Sequence, residues 1–209
     1  RYPEMVTSAI PLATTTKHSA LAIAFNEIAR QAIMTDPNWN GGFYSDDATP
    51  DKGLAAARMM AICTYRSWQS FDERFGRERR DDDLYQVQSY LRHQGAKINE
   101  RFDANTYVTL TQAMHTHDLG RGRGPYEEAL ARIAQPALVV SVSSDVLYPP
   151  EEQRLLADHL PNAQYEILDC PHGHDGFLIE TETLGAMITR FRERCGERAR
   201  PRAVSSGNE

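Results

Sequence analysis

The sequence is poor in cysteine, in long apolar runs and in runs of basic residues. Its three cysteines, Cys63, Cys170 and Cys195, lie far apart and form no Cys-x-x-Cys pair, so neither a disulfide framework nor a cysteine zinc site is indicated. A reducing compartment fits best, and we expect a cytoplasmic location. No stretch approaches the roughly 18 apolar residues of a membrane span, so no membrane partner is expected. A net charge of −6 without a Lys/Arg run argues against a nucleic-acid partner.

The overall composition is that of an ordinary globular protein. Of the 209 residues, 41% are hydrophobic and 25% are charged. This composition argues against a wholly disordered chain, a collagen or a coiled coil. The chain opens with Arg1 rather than Met and has no charged-then-apolar leader. We therefore expect it to be a piece of a longer protein.

Hydrophobic periodicity predicts an alternation of strands and helices. The continuous apolar run over 137–142 is typical of a strand that is covered on both faces in a parallel sheet. Two further strands are predicted over 5–13 and 164–168. Caps, breakers and apolar spacing predict helices over 19–35, 54–75, 85–94, 104–117, 126–133, 149–160 and 177–194, followed by a polar, disordered tail from 196 onward.

This order of elements defines an α/β fold with a block of helices inserted between strands. Three strands, however, leave one side of a parallel sheet open. We expect either that strands are missing upstream or that a partner supplies them.

One pair of polar segments follows the two C-terminal strands. Asp145 lies at the carboxyl end of the apolar strand, and His174 lies in the loop after the next strand, where open α/β sheets bind ligands. A nucleophile, an acid and a histidine in this chain order form the triad of α/β-hydrolases. The alternative is structural, with Asp145 capping the helix that begins near Pro149 and His174 serving only as a loop residue.

A nucleophile with the expected context is missing. A Gly-x-Ser-x-Gly elbow would precede Asp145, and no serine of this chain has that context, Ser8, Ser19, Ser45, Ser67, Ser70 and Ser89 included. If the order rule holds, the elbow lies upstream of Arg1.

Two rival interpretations concern metal and carboxylate binding. The clusters His115-Thr116-His117-Asp118 and His172-Gly173-His174-Asp175 carry residue types that bind zinc or iron, although no further histidine follows either at a ligand spacing, and no metal is expected. Arg66, predicted inside the helix over 54–75, would suit a carboxylate if it faces a cleft, and is otherwise a solvated arginine.

Several strings resemble the homoserine O-acetyltransferase family from Arg1 to about Arg194. They are Lys17-His18-Ser19-Ala20, Ala24-Phe25-Asn26-Glu27, Arg30-Gln31-Ala32-Ile33, Gly53-Leu54-Ala55-Ala56-Ala57-Arg58, Phe102-Asp103-Ala104-Asn105-Thr106-Tyr107 and Gly173-His174-Asp175-Gly176-Phe177. The resemblance implies an α/β-hydrolase fold, here its C-terminal part, with a core over 1–18 and 118–195, a helical lid over 19–117 and a tail over 196–209.

The same resemblance implies roles for four residues. Asp145 would be the acid that orients the imidazole, and His174 the general base. Arg66 would receive the carboxylate of L-homoserine and Asp175 its ammonium group. The family nucleophile has no counterpart in this chain, so we expect the chain to be inactive alone.

The implied activity is transfer of an acetyl group from acetyl-CoA to homoserine in methionine biosynthesis. Acetyl-CoA would act as a substrate, with no permanently bound cofactor, and the lid helices would form a homodimer. The alternatives left open are succinyl-CoA as donor, serine as acceptor, and an esterase of the same fold.

Overall fold

The structure is a computed structural model that describes residues 2–199. Within these residues the chain forms nine α-helices and two β-strands. They are α1 (Ala20–Met34), α2 (Asp51–Tyr65), α3 (Trp68–Phe75), α4 (Gln86–Ile98), α5 (Ala104–His115), α6 (Tyr126–Ala131), β1 (Ala137–Val142), α7 (Pro150–His159), β2 (Ala163–Leu168), α8 (Gly176–Ile179) and α9 (Thr181–Ala199). No helix in this range is long and apolar enough to cross a membrane.

The two strands are parallel and are connected through α7, which confirms the predicted α/β class. Their register pairs Ala137 with Ala163 and Val142 with Leu168. All six residues of β1 are buried, as its apolar run predicts for a strand with both faces covered.

The predicted strand over 5–13 is wrong as a continuous strand. Only Ala9 and Leu12 form bridges, both parallel to β1 on the side opposite β2. Pro11 has no N–H to donate, and Ala13 has a φ of 43°, so the ladder is interrupted after few pairs. The segment nevertheless lies along β1, because the Pro11 carbonyl accepts from the Val140 N–H at 2.9 Å.

Three apolar clusters hold the chain together. On one face of the sheet, Leu138 and Val140 pack with Phe191 of α9. On the other face, Val139 packs with Leu156 of α7. The third cluster lies inside the helical block and includes Ala29, Ile33, Trp39, Leu54, Ala57, Ile98, Ala104 and Val108.

Close backbone contacts at α2 shape the helical block. A Cβ at Gly53 would lie 2.5 Å from the Ala32 carbonyl oxygen of α1, and one at Gly95 would lie 3.0 Å from the Ala55 carbonyl oxygen. Gly95 therefore permits α4 to approach α2 and does not end the helix, which continues beyond the predicted limit of Gln94.

The predicted helix over 54–75 is wrong as a single helix. It is divided into α2 and α3 by Arg66 and Ser67, both of which have extended backbone angles. Ser67 is the N-cap of α3, and its side chain accepts from the Ser70 N–H at 3.0 Å. Arg66 consequently lies between helices, and its predicted place inside one is corrected.

The C-terminal helix differs from the prediction in two places, near its start and at its end. Glu180 separates the short α8 from α9, so one predicted helix is again two. α9 continues to Ala199, so the predicted tail begins too early at 196. The remainder of that tail, 200–209, lies outside the described residues.

Candidate active site

The side chain of Asp145 is fully buried and accepts three hydrogen bonds. Its Oδ1 accepts from the backbone N–H groups of Leu147 at 2.8 Å and Tyr148 at 2.9 Å. Its Oδ2 lies 2.8 Å from Nδ1 of His174, and 0% of the side chain is exposed. A buried carboxylate is stable only when it is paired and hydrogen-bonded, and both conditions hold here.

The structural alternative for Asp145 holds only in part. Its two backbone contacts stabilise the turn after β1, but α7 begins at Pro150 with Pro149 as its N-cap and with no side-chain capping bond. Asp145 is therefore a turn residue that also binds the imidazole, and it does not cap the helix.

The loop that carries His174 is fastened to the end of β1 by two serines. Ser144 Oγ donates to the Cys170 carbonyl at 2.6 Å and accepts from the Gly173 N–H at 2.9 Å. Ser143 Oγ accepts from the Cys170 N–H at 3.0 Å. These two serines therefore hold the ends of the two strands together.

Aromatic rings surround the imidazole of His174. The ring centroids of Tyr148 and Phe177 both lie 5.4 Å away, and that of Tyr65 lies 6.0 Å away. The side chain remains 18% exposed. Because the carboxylate of Asp145 faces Nδ1, the favoured tautomer carries its proton there and leaves a lone pair on Nε2.

Arg66 and Asp175 lie beside this pair without neutralising each other. Arg66 Nη1 donates to Ser70 Oγ at 3.1 Å, while its buried Nε has no hydrogen-bond partner. Burial raises the pKa of Asp175, although the positive charges of Arg66, His174 and Arg58 oppose that shift. Among the ion pairs of residues 2–199, none joins Arg66 to Asp175. Arg66 and Asp175 thus influence each other electrostatically without forming a direct ion pair.

An apolar pocket of about 200 Å³ lies behind two of the rings that flank the imidazole, and His174, Arg66 and Asp175 are not among the residues that line it. It lies between α1, α2, α5 and the loop after β1, and Tyr65 and Tyr148 line it as well as flanking His174. Burial raises the pKa of Tyr107 and that of Tyr148 to about 12, so both hydroxyls are neutral donors. Sequence reasoning missed these tyrosines, although Tyr65 adjoins Arg66 and Tyr148 follows Asp145 closely.

The histidines of the cluster over 115–118 bind different partners instead of converging on one point. His115 Nε2 lies 3.2 Å from Nη1 of Arg30, whereas His117 Nε2 donates to the Thr15 carbonyl at 3.0 Å. In the part of the chain that the structure describes, no group of three or more His, Cys, Asp or Glu side chains is arranged to hold a metal ion.

The fold and the site together define a class. A family model described as "alpha/beta hydrolase fold" matches residues 1–180, and the chain belongs to that family. Asp145 and His174 follow the two C-terminal strands in the chain order of its acid and histidine. The predicted α/β-hydrolase fold is confirmed.

The particular relatives are homoserine O-acetyltransferases. The chain is 52% identical over 91% of its length to the homoserine O-acetyltransferase of Chlorobium luteolum, covering 53% of that protein. A crystal structure of homoserine O-acetyltransferase from Bacillus anthracis superposes with a TM-score of 0.85 at 22% identity, over 91% of this chain and 54% of that one. Esterase E22 superposes with a TM-score of 0.82 at 22% identity, over 91% of this chain and 55% of that one. The chain spans about half the length of the curated relatives it matches.

Proposed function

We propose that the protein is an acyltransferase that moves an acetyl group from acetyl-CoA to the hydroxyl of L-homoserine, a step of methionine biosynthesis. The observation that carries this proposal is the contact of 2.8 Å between His174 Nδ1 and the fully buried Asp145 carboxylate. Arg66 and Asp175, which lie near this contact without a direct ion pair between them, add support. The identity of 52% with a protein named homoserine O-acetyltransferase supports the choice of substrate.

In this proposal His174 is the general base and Asp145 is the acid that orients it. The hydrogen bonds of residues 2–199 place no serine hydroxyl at the His174 ring, which contacts Asp145 through Nδ1. The chain also spans about half of its relatives. We therefore assign the nucleophilic serine, with the backbone amides of an oxyanion hole, to residues that precede Arg1 in a longer protein.

The reaction has two half-reactions with balanced proton transfers. Nε2 of His174 takes the serine proton, the serine oxygen attacks the thioester carbonyl, the C–S bond breaks, and CoA leaves with that proton. Nε2 then takes the proton of the homoserine hydroxyl, whose oxygen attacks the acyl-enzyme. The serine ester bond breaks and the serine regains its proton.

Arg66 and Asp175 are the proposed contacts of the homoserine zwitterion. The Arg66 guanidinium has an unused buried N–H at Nε, which suits a carboxylate. Asp175 is half-buried and lies next to His174 in the chain, so an ammonium group bound there would be held near the base. A small zwitterion needs one cation and one anion at a fixed separation, and these two residues supply them.

Residues 19–117 serve in this proposal as a lid over the core formed by 1–18 and 118–195. The pocket behind the rings that flank His174 is closed by α1, α2 and α5 of that segment, which supports exclusion of water, the competing acyl acceptor. Exposed apolar side chains on α1 and α5, including Leu21, Ile28 and Leu110, support a homodimer through the lid helices. Three free cysteines support a cytoplasmic location.

The first experiment is to read the coding sequence in frame upstream of Arg1 and to look for a Gly-x-Ser-x-Gly string. The longer protein is then assayed with homoserine and with serine, using acetyl-CoA and succinyl-CoA. We expect O-acetylhomoserine to be the main product. A start codon directly before Arg1, or cleavage of acyl esters without any acylated amino acid, would overturn the proposal.

The 209-residue chain itself is the matched control for that assay. It contains the proposed base and acid without the proposed nucleophile, so we expect no turnover of acetyl-CoA with homoserine. Turnover by this chain would contradict the assignment of the nucleophile to preceding residues.

A further inference from the structure

A second cleft lies away from His174, between the end of α3 and the first half of α4. Its volume is about 620 Å³. We call it the arginine cleft, because the side chains that define its chemistry are Arg74, Arg80, Ser89, Tyr90, Arg92 and His93.

The lining of the arginine cleft has one sign of charge. Three guanidinium groups and a histidine contribute to it, and no carboxylate does. Among the ion pairs formed by the described side chains of residues 2–196, none involves Arg74, Arg80 or Arg92. The acidic run over 81–83 is adjacent in sequence but contributes no lining side chain. An anion in the cleft would therefore meet guanidinium groups that have no competing carboxylate partner.

Two of the arginines are held in place. The guanidinium of Arg74 lies 4.7 Å from the centre of the Tyr90 ring and 5.1 Å from that of Phe75, which is buried. Arg80 Nη1 donates to Ser89 Oγ. A guanidinium that is already oriented loses less side-chain entropy when it binds a phosphate than a free one does.

The helix α3 connects this cleft to the candidate active site. Its N-cap, Ser67, donates to the Pro171 carbonyl in the loop that carries His174. Its last residue, Phe75, lines the arginine cleft. Eight residues at 1.5 Å each place the cleft roughly 12 Å from that end of the helix. A ligand that contacts both His174 and the arginine cleft therefore needs a flexible arm of at least about that length.

We propose that the arginine cleft binds the phosphorylated nucleotide end of the acyl-CoA donor. This proposal rests on the proposed function and deepens it. The donor carries its thioester at one end, a flexible pantetheine arm, and a 3′-phosphorylated adenosine diphosphate at the other end. Arg80 and Arg92 contact phosphate groups, and Tyr90, with the Arg74 guanidinium held against its ring, forms the aromatic wall beside the nucleotide.

The direct test is binding of CoA, dephospho-CoA and inorganic pyrophosphate to the 209-residue chain, measured by titration calorimetry. We expect CoA to bind more tightly than dephospho-CoA, because the latter lacks the 3′-phosphate. We expect Arg80→Gln and Arg92→Gln each to weaken CoA binding roughly tenfold or more. We also expect the affinities for CoA and dephospho-CoA to differ less in these variants than in the wild type. Arg132→Gln, at the exposed arginine that directly follows α6, is the matched control and keeps wild-type affinity.

Two results would overturn the inference. One is CoA affinity in Arg80→Gln and Arg92→Gln equal to that of the wild type, with thermal unfolding showing that all chains are folded. The other is pyrophosphate binding as tight as CoA binding, which would mark a nonspecific anion site.

Activity of the longer protein separates this inference from the proposed function. We expect the same two substitutions to raise the KM for acetyl-CoA while leaving kcat and the KM for homoserine unchanged. Acyl transfer with an unchanged KM for acetyl-CoA would overturn the cleft and leave the function intact. CoA binding at the cleft without any acyl transfer by the longer protein would overturn the proposed function and leave the cleft intact.

Discussion

Gly173 lies directly against the backbone of Ser67, across the contact between the two halves of the candidate site. A Cβ at Gly173 would lie 2.5 Å from the Ser67 nitrogen and 2.7 Å from the Arg66 Cα. The φ of Gly173 is +70°, a value that favours glycine. The loop that carries His174 and the break that presents Arg66 are therefore in direct backbone contact, in addition to the hydrogen bond from Ser67 to the Pro171 carbonyl.

Gly173→Ala tests this contact. We expect a loss of about 1–3 kcal/mol in the free energy of unfolding from steric overlap with Ser67, beyond the cost of the backbone angle. Denaturant unfolding measures it. Gly122→Ala is the control, because Gly122 also has a φ of +70° but a Cβ there would meet nothing within 4 Å. Equal losses of unfolding free energy in the two variants would show that the contact between Gly173 and Ser67 does not contribute to stability.

Asp145→Asn in the longer protein tests the orientation of the imidazole. The amide still has an oxygen to accept from Leu147 and Tyr148, so we expect a folded protein. Its kcat should fall on the order of 10⁴-fold, as expected when a triad acid no longer stabilises the correct histidine tautomer. Steady-state kinetics measures the change, and Asp158→Asn, on the exposed side of α7, is the charge-matched control. Retention of most activity would remove Asp145 from the proposed mechanism.

We predict that the ionised Asp175 carboxylate lowers the stability of the fold at pH 7 while it favours binding of the substrate. Burial holds its pKa above the ordinary 3.8, so its stabilising contribution is present below pH 3.8 and is lost as the pH rises through the folded-state pKa. Asp175→Asn should therefore unfold at a higher denaturant concentration than wild type at pH 7, and the difference should vanish below pH 3.8. In the longer protein the same change should raise the KM for homoserine.

Asp103 is the control for Asp175, because its pKa is shifted in the opposite direction. Burial raises its pKa, but hydrogen bonds from Tyr44 and Thr106 outweigh that effect and hold the pKa below 3.8. Its stabilising contribution is thus present above pH 3.8 and is lost as the pH falls through the folded-state pKa. Asp103→Asn should be less stable than wild type at pH 7. A shift of the same sign in both variants would refute the electrostatic explanation.

Gly53→Ala tests the packing of α1 against α2. The added methyl group would overlap the Ala32 carbonyl, and we expect a loss of about 1–3 kcal/mol in unfolding free energy. Gly185→Ala in α9 meets nothing within 4 Å and should instead add about 0.5–1 kcal/mol through helix propensity. Thermal unfolding of the two variants gives the comparison, and a stabilised Gly53→Ala would mean that the helices separate at little cost.

Much of the local structure was predictable because its signals lie close together in the sequence. The apolar run of β1, the Ser19 cap of α1 and the strand-end positions of Asp145 and His174 all follow from neighbouring residues. The division of the helix at Arg66 was not predictable in this way. The stripe of apolar residues continues through it, and the extended backbone is stabilised by Ser67 binding Pro171, a residue 104 positions away.

Sequence patterns were enough to predict the α/β class and to place Asp145 and His174 after two successive strands, since both depend on periodicity or chain order. Tertiary structure alone decided that Gly95 permits packing rather than ending a helix, that His115 and His117 turn to different partners, and that Tyr65 and Tyr148 flank the imidazole. These outcomes depend on contacts between residues distant in sequence, where side-chain packing and burial outweigh local propensity.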